Sequence, residues 1–194
     1  MIGTIISRCE LRARWSYAEV TGRFADTYRK NHTDSASVAL LTKIADGAVF
    51  ADLTHTDRDI LVGWFETGLR KDYANAMQWY DTFKCESWSK EKLMRLNVLP
   101  CLDPQRQGRI VPLLSFLTSP RSLEDSDDPR VAADKVPLNE RYRHKEPLVV
   151  GHWDNGLEVL WDGYFRAALF ARSEDPNAEI FVWVPFEGNW PGKK

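Results

Sequence analysis

Cysteine is scarce. Cys9, Cys85 and Cys101 are scattered along 194 residues, an odd number at spacings that build no disulfide framework. The four histidines are equally scattered. No CxxC or HExxH spacing occurs, so the sequence carries no zinc signature. No apolar run approaches the ~20 residues of a membrane span. The opening MIGTIISRCELRARW has only about five apolar residues before Arg8, too few for a signal-peptide core, and the expectation is a cytoplasmic protein with no membrane partner. Charge of one sign is not in excess: 26 basic residues face 28 acidic ones, a formal net charge of -2. No global basic field exists to hold a nucleic acid, so any such partner would need a local patch. Internal repeats and low-complexity segments are missing too.

What the chain does have is apolar substance. Hydrophobic residues make up 43% of it, enough for one good core or for one domain with a helical annex. His55, in THTDRD, stands near Asp57 and Asp59 and has the look of a metal cluster. Thr and Asp are also the residues that cap and open helices, and a helix start is the preferred reading.

Residues 1–98 read as helical, with four or five helices. ELRARWSYAEVTGRFADTYRK places Leu11, Trp15, Ala18 and Gly22 on one stripe. DSASVALLTKIADG has an Asp34/Ser35 cap and a Gly47 stop. TDRDILVGWFETGLRK and DYANAMQWYDTFK follow, the second with Tyr73, Ala76, Met77 and Tyr80 at helical spacing. SWSKEKLMRLN opens on Ser87 or Ser89 and ends at Asn97, ahead of Pro100. Trp64, Phe65, Trp79 and Tyr80 are assigned to the core.

The texture changes at LPCLDPQRQGR, a loop composition. IVPLLSFL, interrupted by Pro112, reads as an edge strand. The acidic run Glu124–Asp128 reads as a solvated loop. Past Glu146 the pattern is β. PLVVGHW and LEVLW are strands around an Asp154-Asn155-Gly156 hairpin turn. Asp162-Gly163 stops the second strand, and YFRAALFARS is a helix with Tyr164, Ala167, Ala168 and Ala171 on one face. Asp175-Pro176-Asn177 turns the chain into a last strand, EIFVWVP. The fold class expected is therefore α+β: a helical region over residues 1–98, then a small mixed-sheet domain over about residues 107–187.

The junction between strand and helix has chemical potential. The first four N–H groups of a helix have no partner within it and point outward at the positive end of its dipole. An anion placed there gains hydrogen bonds and a favourable field. Gly163 would let it approach the backbone, and Arg166 would reach back to it. Asp162 is read first as the helix cap, bonding the N–H of Tyr164 or Phe165.

From about Ile110 to Phe186 the layout resembles the ParB/sulfiredoxin-like superfamily. The residues that carry the resemblance are Pro147, Leu148 and Val150, the hairpin, then Asp162, Gly163 and Arg166 opening a helix, with Leu169 at the last motif position and Ala167 and Ala168 just before it. Pro120-Arg121 or Pro129-Arg130 would stand for the family's upstream Pro-Arg loop. The resemblance implies a phosphate-binding Gly-x-x-Arg element, so the ligand-binding residues expected are Asp162, Gly163, Tyr164, Phe165 and Arg166. It implies a nucleotide ligand, with Mg²⁺ if a reaction is catalysed. Tyr164 stands where sulfiredoxins have cysteine, which excludes their thiol chemistry. Phe165 replaces a basic residue common in relatives. No helix-turn-helix of the kind that follows this domain in ParB proteins is expected after Phe186, and whether the helices before Pro100 take its place is left open.

The function expected is binding of a nucleotide or other phosphate ligand, with phosphotransfer or phosphohydrolase activity left open. Asp162 is the best-placed carboxylate for Mg²⁺, and Glu146 and Glu158 are poorer ones. The catalytic residues are not specified. The alternative is a non-catalytic interaction protein with a decayed nucleotide site, favoured by the loss of the second basic group. A nuclease is disfavoured by the acidic balance.

Overall fold

A computed structural model describes residues 2–22, 24–68, 70–98, 111–112, 147–152, 157–163, 166–167, 170 and 177–190. The chain divides into two compact units, Ile6–Asp81 and a second made of Met1–Ile5 with Thr82–Lys194. The fold is α+β, with the helices concentrated in the N-terminal region.

The first unit is built from α1 (Arg8–Val20), α2 (Ala25–Asn31), α3 (Ser35–Ala45), α4 (His55–Thr67) and α5 (Lys71–Met77). Polar side chains mark the starts. Ser7 accepts from the Glu10 N–H, Asp34 from the Ser37 N–H and Thr54 from the Asp57 N–H, so each satisfies a donor that the helix itself leaves open. The long helix read through Lys30 breaks after Val20, and Tyr28 belongs to a separate short helix. One buried cluster joins Ala13, Val20, Tyr28, Leu40, Ile44, Phe50, Leu61 and Trp64. Trp15 packs tilted on Phe65 and Tyr73, each at 5.2 Å between ring centroids. Arg8 and Arg12 donate to the carbonyls of Gln78 (2.6 Å) and Ala74 (2.7 Å), where α5 runs out of internal partners.

Two further expectations for this region are corrected. DYANAMQWYDTFK is not one helix: α5 stops at Met77, and β2 (Tyr80–Ser89) begins three residues later. Trp79, expected in the core, is 43% exposed, whereas Trp64, Phe65 and Tyr80 are buried.

The sheet runs in the order β1-β2-β7-β5-β6-β3-β4, with β1 Ile5–Ser7, β3 Asn97–Val98, β4 Val111–Pro112, β5 Leu148–His152, β6 Glu158–Asp162 and β7 Glu179–Gly188. Pro112, which has no N–H to give a ladder, sits on the edge strand as expected. β5 pairs antiparallel with β6 and parallel with β7, while β3 runs parallel to β6. Between β2 and β3 lies α6 (Lys90–Met94), capped by Ser89. The core of this unit gathers Trp88, Leu93, Leu96, Leu148, Val150, Leu160, Ala167, Phe170, Ile180 and Val182. Gly151 is held to glycine by the Trp161 ring, since a Cβ there would lie 2.2 Å from Cζ2. The Asp154–Gly156 turn, the Glu124–Asp128 run and both Pro-Arg pairs fall outside the described residues.

Candidate functional site

The site expected from the sequence begins where β6 ends. Asp162 closes the strand, with Val149 of β5 opposite it in the register, and a β-bulge follows between Val149 and Val150. Gly163 turns the chain at φ +86°, a conformation that favours glycine. Arg166, Ala167 and Phe170 are helical. The Ala167 N–H bonds the Gly163 carbonyl at 2.8 Å, an i to i−4 bond that opens a helical turn at Gly163. Ala167 and Phe170 are both buried in the sheet core and anchor the turn to it.

Asp162, Gly163 and Arg166 come together. The Arg166 guanidinium donates through Nη2 to Asp162 Oδ2 at 3.0 Å. The two side chains are 15% and 30% exposed, so the pair is partly shielded from water. The guanidinium also lies against the glycine: a Cβ on Gly163 would stand 2.9 Å from Arg166 Nη2 and 2.1 Å from Leu148 Cδ2. The glycine therefore has a structural reason beyond any ligand. The space expected to receive an anion is, on that side, filled by Leu148 and the arginine.

Tyr164 and Phe165 lie outside the described residues, and so do the two N–H groups that Asp162 was expected to cap. The partner the structure does give Asp162 is Arg166, at the i, i+4 spacing of a helical ion pair. That D-x-x-x-R spacing stands in the sequence and could have been used. The Leu148 contact could not, because it depends on the β5–β6 register. Glu158 lies at the far end of β6, opposite His152, and Glu146 falls outside the described residues. Among the described residues no three His, Cys, Asp or Glu side chains are grouped so as to hold a metal ion. At Thr54–Asp59 the helix start is the reading that stands, since Thr54 and Asp57 form a reciprocal capping box. No described helix is long and apolar enough to cross a membrane.

Comparison of the chain with protein-family models, with curated proteins and with solved structures returns no match.

Proposed function

We propose that the sheet unit binds a phosphate-bearing ligand where β6 passes into the helical turn, with a nucleotide as the ligand class that the ParB/sulfiredoxin-like resemblance implies. The observation that carries this reading is the convergence of the Arg166 guanidinium on Gly163, at the end of a helical turn opened by that glycine. A full positive charge and the positive end of a turn then address one spot. Asp162 holds the arginine in place and also competes with the ligand for it. A phosphate would share or replace this carboxylate. Mg²⁺ carried on the nucleotide would offset the repulsion between them, with Asp162 as the carboxylate that the described residues place at this position. A cytoplasmic setting belongs to the same reading. Phosphotransfer or phosphohydrolase chemistry would need a base besides Asp162, which is already engaged with Arg166.

A second reading has its own support. The Asp162–Arg166 pair and the Leu148 contact account for the motif without a ligand, as in a non-catalytic interaction protein whose nucleotide site has decayed. Titration calorimetry with ATP, with and without Mg²⁺, separates the two. Phosphate binding requires a saturable signal in the wild type. Arg166→Ala should weaken it about ten- to hundredfold, the worth of one charge-assisted contact. Asp162→Asn, which removes the competing charge, should tighten binding of the free nucleotide. A wild type silent at millimolar nucleotide, or an Arg166→Ala protein that binds equally well, would leave the interaction-protein reading.

A further inference from the structure

In the helical unit, Arg70 is enclosed. Its guanidinium carbon lies over three rings: Trp15 at 5.5 Å, Phe24 at 5.6 Å and Tyr73 at 5.8 Å from the centroids. At the base stands the buried carboxylate of Glu19. Arg70 Nε donates to Glu19 Oε1 at 2.6 Å, and Nη2 meets the same oxygen. The other oxygen, Oε2, accepts from the Tyr28 hydroxyl at 2.8 Å. Aromatic faces attract cations through their quadrupole, and a buried carboxylate adds directional acceptors.

We propose that Trp15, Phe24, Tyr73 and Glu19 form a binding cage for an alkylguanidinium, filled in cis by Arg70. Three features distinguish it from a plain core ion pair. Tyr28 fixes Glu19 independently of the arginine, so the acceptor is placed before the cation arrives. Arg70 enters from the connection between α4 and α5, not from within a helix. Its side chain remains 21% exposed, so the cage has a mouth toward solvent. The ligand is an arginine side chain or a free guanidino compound. A planar fork with delocalised charge fits this site, whereas a compact, strongly hydrated ammonium does not.

The test empties the cage with Arg70→Ala and titrates methylguanidinium, reading calorimetric binding and the shift in melting temperature. Saturable binding in the millimolar range is expected, at least about tenfold tighter than methylammonium and lost in the Arg70→Ala/Glu19→Gln protein. N-acetylarginine amide binding as tightly as methylguanidinium identifies an arginine side chain as the ligand, and its exclusion identifies a free compound. A variant that is folded by circular dichroism but gives no saturable response overturns the proposal. If Arg70→Ala is unfolded alone, refolding driven by methylguanidinium supports the cage and failure to refold overturns it. Wild type should respond far more weakly than the variant. An equal response would overturn occupation by Arg70.

Discussion

Gly163 shows how much a single residue can be asked to do. Its φ of +86° costs an L side chain of order 1–3 kcal/mol. The Leu148 methyl lies only 2.1 Å from where a Cβ would be, a clash that packing at interior density cannot absorb without displacement. Gly163→Ala should therefore destabilise by more than the backbone term alone, roughly 3 kcal/mol or above. A double-mutant cycle with Leu148→Ala apportions the cost. Leu148→Ala alone should lose about 2–5 kcal/mol by leaving a cavity, but the double mutant should lose clearly less than the two singles together, because the clash with Leu148 is gone while the dihedral strain and the 2.9 Å approach to Arg166 Nη2 remain. Strict additivity in urea unfolding would show that Leu148 is not what excludes the side chain. The same contact makes Gly163→Val a poor probe of phosphate binding, since it would damage the fold first. Arg166→Ala and Asp162→Asn act on charge and are the better probes.

At the scale of elements, local chemistry decides the starts and distant pairing decides the rest. At the start of α4, Thr54 Oγ1 accepts from the Asp57 N–H at 3.2 Å, and Asp57 Oδ2 accepts from the Thr54 N–H at 2.9 Å and from Lys43 Nζ at 2.7 Å. Thr54→Ala should cost about 1 kcal/mol, measurable as a lower urea midpoint with unchanged slope, whereas Thr54→Ser should be close to neutral. An Ala variant as stable as the wild type would show the cap to be idle. Such starts were legible in part: Asp34 stands in the sequence as a cap, THTDRD reads as a helix start without singling out Thr54, and Ser87 and Ser89 are equal candidates until the strand running to Ser89 selects the second. Strands β5, β6 and β7 were legible from dense runs of Val, Ile, Leu and Trp, and β4 from Pro112 at an edge. β2 was not. Its buried residues, Tyr80, Phe83, Cys85 and Trp88, are spaced three, two and three apart, which matches neither a clean alternation nor a helix. The spacing Tyr73, Ala76, Met77 and Tyr80 also carries a helical pattern across the break. The place of β2 between β1 and β7 in the sheet makes it a strand. At the candidate site the same division holds. The turn, the glycine and the arginine could be read from the sequence, whereas the Leu148 contact comes from strand register.

The whole molecule sums its titrating groups, and below neutral pH His32 and the shifted carboxylates act in one direction. His32 stacks on Trp64 at 4.6 Å between ring centroids and on Tyr28 at 5.5 Å. Burial there lowers its pKa below the ordinary histidine value, outweighing the nearby Asp34 carboxylate, which pulls the other way. Asp57 is held low chiefly by the Lys43 hydrogen bond, Glu86 chiefly by the Trp88 indole N–H, and Asp34 by hydrogen bonds from Ser37, the side chain first and the backbone N–H second. A histidine with a depressed folded pKa binds fewer protons folded than unfolded, so its stability contribution is complete above about pH 6.5 and is lost as pH falls through the folded value. The depressed carboxylates contribute stability above their unfolded values near pH 4, and that is lost on further acidification. Stability should therefore fall in two stages from pH 7.5 to 3, the first beginning near pH 6.5 and the second near pH 4. Replacing the imidazole by a ring that cannot ionise, His32→Phe, should keep the stack and erase the first stage alone. Asp57→Asn should instead lower stability at neutral pH and shrink the second stage. Melting temperatures at half-unit pH intervals for the three proteins decide. A wild-type profile that is flat, or that rises, between pH 6.5 and 5 would mean that stacking on Trp64 favours the imidazolium over the neutral ring, and the burial argument for His32 would fail.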